Sequence, residues 1–408
     1  MPSIRIGDVA QIIDGAHATP KKTKSGKVYL GIRAISSDGK IAPENFDYLS
    51  DEDFTKWSKR TSLQKDDVVF SYEATLNRYA LIPKGLIGCL GRRLAIVRIK
   101  DKEVIDPKWL YYYFQTQSWQ AFIENNIFTG STVNRISIDE FPNYTVLAPS
   151  ISTQKIIAGL LSLLDEKIEL NNKINAELES TARALYNHWF VQFDFPDESG
   201  RPYKTAGGAM VYSEELKREI PTRWTVEKLR DLLEFNKGTE VGSDAYGDSP
   251  KEDSVRFYRV GDINSVCTTY VDKSSALNIV KPSDVIVTFD GTVGKLGLGL
   301  DGAISSGLRK IYDKSGIIDN SFVWLLFLDP RTKNTIEKYA TGSVLLHASS
   351  SINYLNTPFN KEVVMRFKEL AKPIFEQYVN NKAEVVRLVR LRDFLLPMLM
   401  NGQAIIKD

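Results

Sequence analysis

Cysteine is nearly missing from this chain. Its 408 residues hold 2, Cys89 and Cys267, too few for a disulfide framework and in keeping with a reducing cytoplasm. The 3 histidines, His17, His188 and His347, do not cluster with the cysteines at metal-ligand spacing. No run approaches the roughly 18 consecutive apolar residues of a membrane span. The opening Met1-Pro-Ser-Ile-Arg-Ile lacks the basic-then-apolar build of a secretory signal. A charge of one sign is lacking too: 53 Lys+Arg against 51 Asp+Glu leave +2, so the global balance points to no polyanion. Hydrophobic residues at 43% and charged residues at 25% describe an ordinary folded protein and exclude a disordered or fibrous chain.

Catalytic signatures are also missing. There is no G-x-S-x-G elbow and no G-x-G-x-x-G following a strand. The Asn/Asp-Pro-Pro-aromatic tetrapeptide of amino-methyltransferases is absent, its nearest text being Phe141-Pro-Asn-Tyr144. Asp290-Gly-Thr-Val-Gly-Lys295-Leu-Gly-Leu-Gly has neither the spacing nor the Ser/Thr of a phosphate loop. A tight turn that brings Lys295 near a phosphate backbone suits it better. Asp165-Glu166-Lys167 has the letters of a nuclease site but falls inside a helical pattern. No active site and no bound metal are expected.

What is present is repetition. Ile105-Asp106-Pro-Lys-Trp-Leu-Tyr-Tyr-Tyr-Phe returns as Ile318-Asp319-Asn-Ser-Phe-Val-Trp-Leu-Leu-Phe, and Asp67-Val-Val-Phe as Asp284-Val-Ile-Val. Thr129-Gly130-Ser131 returns as Thr341-Gly342-Ser343. Each unit fills about half the chain, far more than the ~20–50 residues of a solenoid repeat. Each begins with mixed strands and helices and ends in a long helical pattern. In the first, Ile157, Leu161, Leu164, Ile168, Asn171, Asn175, Leu178, Ala182, Leu185 and Trp189 step by alternating 4 and 3, a coiled-coil seam. Shifting by 210 gives Ile374, Tyr378, Asn381, Val385, Leu388, Arg392, Leu395 and Leu399. Asn171 maps onto Asn381, and a seam Asn fixes register and partner at some cost in stability. Pro397 is expected to end the second seam early and make it the shorter helix. Loop chemistry fills 191–221.

The expected fold is α+β. Two mixed α/β domains, 1–149 and 222–370, are separated by two long antiparallel coiled-coil helices, 150–190 and 371–400, with 191–221 as linker and an internal pseudo-two-fold duplication.

The near-zero total conceals an asymmetry. Residues 77–100 carry six cations, Arg78, Lys84, Arg92, Arg93, Arg98 and Lys100, and no acid. Residues 19–33 add Lys21, Lys22, Lys24, Lys27 and Arg33, again without an acid. The first helical stretch is near neutral. Clustered Lys and Arg suit phosphate backbones and base edges. The second mixed domain offers Arg256, Arg259, Lys295, Arg309 and Lys310. Arg92-Arg93 and Arg309-Lys310 are the leading candidate contacts. A seam over 374–399 measures ~38 Å at ~1.5 Å per residue, close to the ~34–36 Å of one DNA turn. Two such helices would space two reading domains by about one turn.

The whole chain resembles the specificity subunit of Type I restriction-modification systems. The resemblance rests on the order domain, helix, domain, helix, and on the spacer Gln154-Lys155-Ile-Ile-Ala-Gly-Leu-Leu-Ser-Leu-Leu-Asp165-Glu-Lys-Ile-Glu-Leu-Asn171 running on through Ala184-Leu-Tyr-Asn-His-Trp189-Phe190. Glu219-Ile-Pro-Thr-Arg-Trp224 and the two Thr-Gly-Ser turns add to it. It implies a subunit without chemistry of its own, each domain reading one half of a split, asymmetric site in double-stranded DNA. The helices would hold the spacing and dock two modification (methyltransferase) subunits, and restriction subunits can join them. S-adenosylmethionine, ATP and Mg would belong to those partners, and none of them to this chain. Ser131 with Arg135, and Ser343 with His347, match the family's turn and are candidate DNA contacts. The chain differs in having no helical segment ahead of its first domain. The alternative is a fused methyltransferase or nuclease with degenerate motifs.

Overall fold

A computed structural model describes residues 1–60, 62–128, 133–263, 265–274, 276–342 and 346–404. The fold is α+β and divides into two units, Met1–Glu166 with Arg390–Asp408, and Lys167–Val389.

The first unit opens with β1 (Ser3–Arg5), α1 (Ile6–Val9), β2 (Ala10–Asp14), β3 (Lys27–Leu30), β4 (Asp47–Leu49) and α2 (Asp51–Trp57). It continues through β5 (Val68–Ser71), β6 (Tyr79–Leu81), β7 (Gly88–Leu90), β8 (Leu94–Ile99), α3 (Pro107–Phe114), α4 (Gln117–Asn125) and β9 (Thr145–Leu147) into the long helix α5 (Ile151–Tyr186). One sheet runs β2-β8-β5-β6, antiparallel throughout. A second runs β4-β3-β7, with β3 and β7 parallel. Strands β5 and β8 are apolar without alternation because both faces are covered. Val68, Phe70, Ala95 and Val97 pack with Trp109, Phe114 and Trp119 of the helices. Val69, Leu94 and Ile96 pack with Val28, Leu30 and Leu90 on the other side.

A hairpin of β10 (Met210–Ser213) and β11 (Arg218–Pro221) precedes the same plan again in the second unit. Its elements are β12 (Thr225–Lys228), α6 (Leu229–Leu232), β13 (Leu233–Lys237), β14 (Ser254–Tyr258), β15 (Tyr270–Asp272) and β16 (Ile279–Val280). There follow β17 (Val285–Thr288), β18 (Leu296–Gly297), β19 (Gly302–Ile304), β20 (Leu308–Asp313), α7 (Asn320–Leu328), α8 (Pro330–Lys338), β21 (Asn356–Phe359) and α9 (Lys361–Met400). The larger sheet runs β13-β20-β17-β18, and the smaller β15-β14-β19-β16 with β14 and β19 parallel. The offset between matching starts falls from 223 at β2 and β13 (10 and 233) to 210 at α5 and α9 (151 and 361). The first unit has more residues between its matching elements, which accounts for that drift.

The repeated sequence words have structural reasons. Asp106 caps α3 by accepting from the Trp109 N–H at 2.9 Å. Asp319 caps α7 by accepting from the N–H groups of Ser321 and Phe322 at 3.1 and 3.2 Å. Each cap satisfies donors that a helix start leaves open.

Along α5, the seam residues Ile157, Leu161, Ile168, Asn171, Asn175 and Ala182 are buried, while Leu164, Leu178 and Leu185 are half-buried. The last seam residue, Trp189, is buried in a π-helical turn, Asn187–Val191, just past the end of α5. Within the second unit, Asn171 Nδ2 donates to Glu384 Oε2 at 2.8 Å and Tyr378 Oη to Glu179 Oε2 at 3.4 Å. Partner numbers fall as α5 advances, so α5 and α9 run antiparallel there. Asn171 therefore meets Glu384, three residues along α9 from Asn381, the position that matches Asn171 in the second seam. On α9, Tyr378 and Leu399 are buried, and Ile374, Asn381, Val385, Leu388 and Leu395 are half-buried.

The expectation for Pro397 is corrected. Helix α9 starts ten residues before the expected 371 and passes both Pro373 and Pro397, making it 40 residues long against 36 for α5. A proline removes one N–H and crowds one carbonyl. Here Val363, Val364, Phe367, Ala371 and Phe375 are buried in the second unit's core, and Leu399 and Met400 in the first unit's, and that burial holds the helix through both prolines.

Candidate nucleic-acid interface

The basic residues of the first unit gather where β3, the β7–β8 turn and the 15–26 loop end together. Lys22, Arg33, Arg92 and Arg93 line one cleft of about 260 Å³ with Thr19, Tyr29, Asn45 and Asp47. The turn is held open by backbone geometry. Arg93 is left-handed at φ 75°, a region uncommon for a residue with a side chain. The Arg92 N–H donates to the Tyr29 hydroxyl at 3.0 Å, and Arg93 Nε donates to Glu73 Oε1 at 3.0 Å. Lys22 pairs with Asp47 at 2.7 Å. Arg33 and Arg92 are exposed, as are Lys21 and Lys24 on the loop, and none of these four has an ion-pair partner among the described residues.

Two glycines that carry no signal in the sequence shape this region. A Cβ on Gly15 would lie 2.2 Å from the Gly91 carbonyl oxygen, and one on Gly238 would lie 2.1 Å from that of Ser305. Both follow the matching strands β2 and β13, and both donate across the sheet, to Leu94 O at 2.8 Å and to Leu308 O at 3.0 Å. Only glycine allows backbones so close.

A second candidate site is built alike in both units. In the first, the Ala74 N–H donates to Asn134 O at 2.8 Å and the Ile136 N–H to Tyr72 O at 2.9 Å, so the β5–β6 turn is zipped to residues 134–136 and Glu73 faces Arg135. In the second, the Gly291 N–H donates to Leu346 O and the Ala348 N–H to Phe289 O, both at 2.8 Å, and Asp290 faces His347. His347 Nδ1 lies 2.7 Å from Asp290 Oδ1. Phe128 N–H to Arg135 O at 2.8 Å closes the first loop, and Thr341 and His347 close the second with bonds of 2.9 and 2.8 Å. The Arg135 guanidinium lies over the Phe128 ring, 5.4 Å from its centroid. Ser131 and Ser343 lie outside the described residues. Arg78 is half-buried in the β5–β6 turn, its N–H on Ser71 Oγ at 3.2 Å.

Residues 2–180 match the sequence model for the Type I restriction modification DNA specificity domain. Over 99% of its length the chain is 25% identical to the Type I restriction enzyme MjaIX specificity subunit of Methanocaldococcus jannaschii, covering 93% of that protein. It is 22% identical to the HindI specificity subunit of Haemophilus influenzae, with 84% of this chain and 88% of that one covered. Over nearly its whole length the chain is similar to Type I restriction-modification specificity subunits. The solved S subunit of M. genitalium shares the fold, with a TM-score of 0.58 at 16% identity over 98% of this chain and 95% of that one.

The second unit's leading candidates are differently placed from those of the first. Arg309 and Lys310 lie inside β20, beyond the turn that corresponds to Arg92-Arg93. Arg309 is 6% exposed. Its Nη1 donates to Ser306 O at 2.7 Å and its Nη2 to Ser349 Oγ at 2.9 Å. Burial pulls its pKa below the ordinary arginine value. Lys310 Nζ pairs with Asp284 at 2.8 Å. Both cations are engaged within the protein. Arg259 is exposed but held by Asp262, Nε to Oδ2, at 3.2 Å. Lys295 is exposed at the β17–β18 turn, where Gly291 and Gly294 are left-handed at φ 69° and 74°. That glycine-rich segment is a hairpin turn. No helix among the described residues is long and apolar enough to cross a membrane. Asp165-Glu166-Lys167 lies on α5, and Tyr112 Oη and Arg392 Nη1 both donate to Asp165.

Proposed function

We propose that this specificity subunit is a non-catalytic reader of double-stranded DNA, with each mixed domain recognising one half of a split, asymmetric site. The observation that carries the reading is the zipped turn built twice, Glu73 with Arg135 and Asp290 with His347, in domains whose strand orders correspond. The correspondence supports an internal duplication. Unlike side chains at matching places give unlike half-sites, since base edges are told apart by donor and acceptor pattern.

Helices α5 and α9 then form an antiparallel coiled coil that sets the spacing and docks two methyltransferase subunits, with restriction subunits joining that complex in the cytoplasm. Exposed apolar side chains support docking: Ile156 and Leu163 on α5, and Leu391 and Phe394 on α9, all in the first unit. Exposed apolar side chains mark a partner surface where they form a contiguous patch. The methyl donor, ATP and Mg belong to those partners.

Lys21, Lys24, Arg33, Arg92 and Arg135 are the first domain's DNA contacts in this reading, with Arg259, Lys295 and His347 in the second. Arg33→Ala/Arg92→Ala in the assembled methylase is expected to weaken binding tenfold or more, at about 1–3 kcal/mol per base contact. The slope of log affinity against log salt should flatten by ~0.9 for every phosphate that the variant no longer neutralises. Filter binding over a salt series checks both, and unchanged affinity and slope would remove this cleft from the interface.

A further inference from the structure

The seam within the first unit is interrupted by charge. Arg392 stands in line with Leu388 and Leu395, yet its guanidinium carries three hydrogen bonds. Nη1 donates to Asp165 Oδ1 at 2.8 Å, and Nε and Nη2 donate to Asp393 Oδ1 at 2.9 and 2.8 Å. The other oxygen of Asp165 accepts from the Tyr112 hydroxyl at 2.6 Å. The side chains of Arg392 and Asp165 are 16% and 21% exposed. Tyr112 is buried on α3, between Trp109 and Phe114, which are themselves fully enclosed. One carboxylate thus ties α9 to α5 and both to the body of the recognition domain.

Such a joint differs in kind from the leucines beside it. Apolar seam residues exchange neighbours at little cost, so a seam of leucines alone fixes register weakly. A half-buried ion pair with a third hydrogen-bond partner is fully satisfied in one arrangement and loses those bonds in the others. Burial works against the Arg392 charge, but the bond to Asp165 and the two carboxylates outweigh it and hold its pKa above the ordinary arginine value.

We propose that Asp165 and Arg392, with Tyr112, are positioning residues for site spacing: they fix the register of α9 on α5 and on the first recognition domain, and thereby the gap that the complex accepts between half-sites. The proposal rests on the split-site reading above.

The test uses the full chain assembled with its modification subunits, methylating two DNA libraries. One varies the gap between fixed half-sites, and the other varies the half-sites at a fixed gap. Asp165→Leu/Arg392→Leu replaces the pair with apolar side chains, a change that buried pairs of this kind commonly tolerate. Tyr112→Phe removes a single hydroxyl and carries the test if the double variant does not fold. Preference for the native gap over gaps one base pair longer or shorter is expected to fall about tenfold in the double variant, as one charge-assisted hydrogen bond allows. It falls less in Tyr112→Phe, and base preference within each half-site stays as in the wild type. Undiminished gap preference overturns the proposal. So does a parallel loss of gap and half-site preference, which would mark a general loosening. A wild-type complex indifferent to the gap would instead remove the split-site reading itself.

Discussion

Seven residues inserted between Asp165 and Asn171, matched by seven between Glu384 and Arg392, are expected to lengthen the accepted gap by about three base pairs and to leave both half-sites unchanged. Seven residues add ~10.5 Å of helix at ~1.5 Å each, and DNA rises ~3.4 Å per base pair. A heptad keeps the ~3.5-residue seam in phase. Both polar pairs survive, Asp165 with Arg392 and Asn171 with Glu384. Four residues in α5 alone would separate one pair from the other and rotate the seam out of phase, so that variant should lose stability as well as spacing. Methylation of a gap-length library checks the matched insertion. A changed half-site, or an unchanged gap, would count against helices that act as spacers.

Asp67→Ala is expected to be strongly destabilising to the first domain's sheet. The carboxylate is 1% exposed, and it receives Arg98 Nε and Nη2 at 2.8 and 2.7 Å and the Gln64 N–H at 2.8 Å. Removing one member of a buried pair costs about 3–5 kcal/mol, because the remaining charge is stranded. Arg98 is 22% exposed and its Nη2 also donates to Ser62 O at 2.7 Å, which puts the loss near 3 kcal/mol, the lower end of that range. Asp284 holds the matching place, with Lys310 Nζ and the Lys281 N–H both at 2.8 Å. A single flexible ammonium rehydrates more readily than a guanidinium fork, so Asp284→Ala should cost about 1–2 kcal/mol. Hydrogen exchange resolved to β5 and β8 should quicken roughly a hundredfold in Asp67→Ala, and β17 and β20 should respond less in Asp284→Ala. The reverse order would contradict this account of the repeated Asp.

Much of the chain was legible before the fold was known, for reasons that differ by element. The α5 seam shows in the text because a surface helix buries one stripe every three or four residues, and seven of its ten seam residues are buried. The repeated Asp-Val-Val-Phe and Ile-Asp words point to matching elements because a buried carboxylate and a helix cap each demand a particular residue. The two basic runs were legible separately, and one cleft takes Lys22 and Arg33 from the first and Arg92 and Arg93 from the second.

Other features depend on packing between distant segments. Gly15 and Gly238 look like ordinary loop glycines until the backbone that crosses each is in place. Arg309 and Lys310 resemble Arg92-Arg93 as text, but the strand starts one residue before Arg309 and carries both side chains into bonds within the protein. Pro397 would end an isolated helix, whereas burial of Leu399 and Met400 carries α9 past it. Arg392 could be read as a flaw in the seam, and only its bond to Asp165 gives it a role. Strand order was not legible, because β3 pairs with β7 in parallel across some 60 residues of chain.

The most direct test of the central claim is the adenine-methylation pattern of genomic DNA from cells that carry this chain, sequenced with and without its gene. The account predicts methylation that disappears with the gene and falls at two different short specified sequences, separated by a fixed number of unspecified bases. A single uninterrupted specified sequence, or one half-site repeated symmetrically, would contradict it.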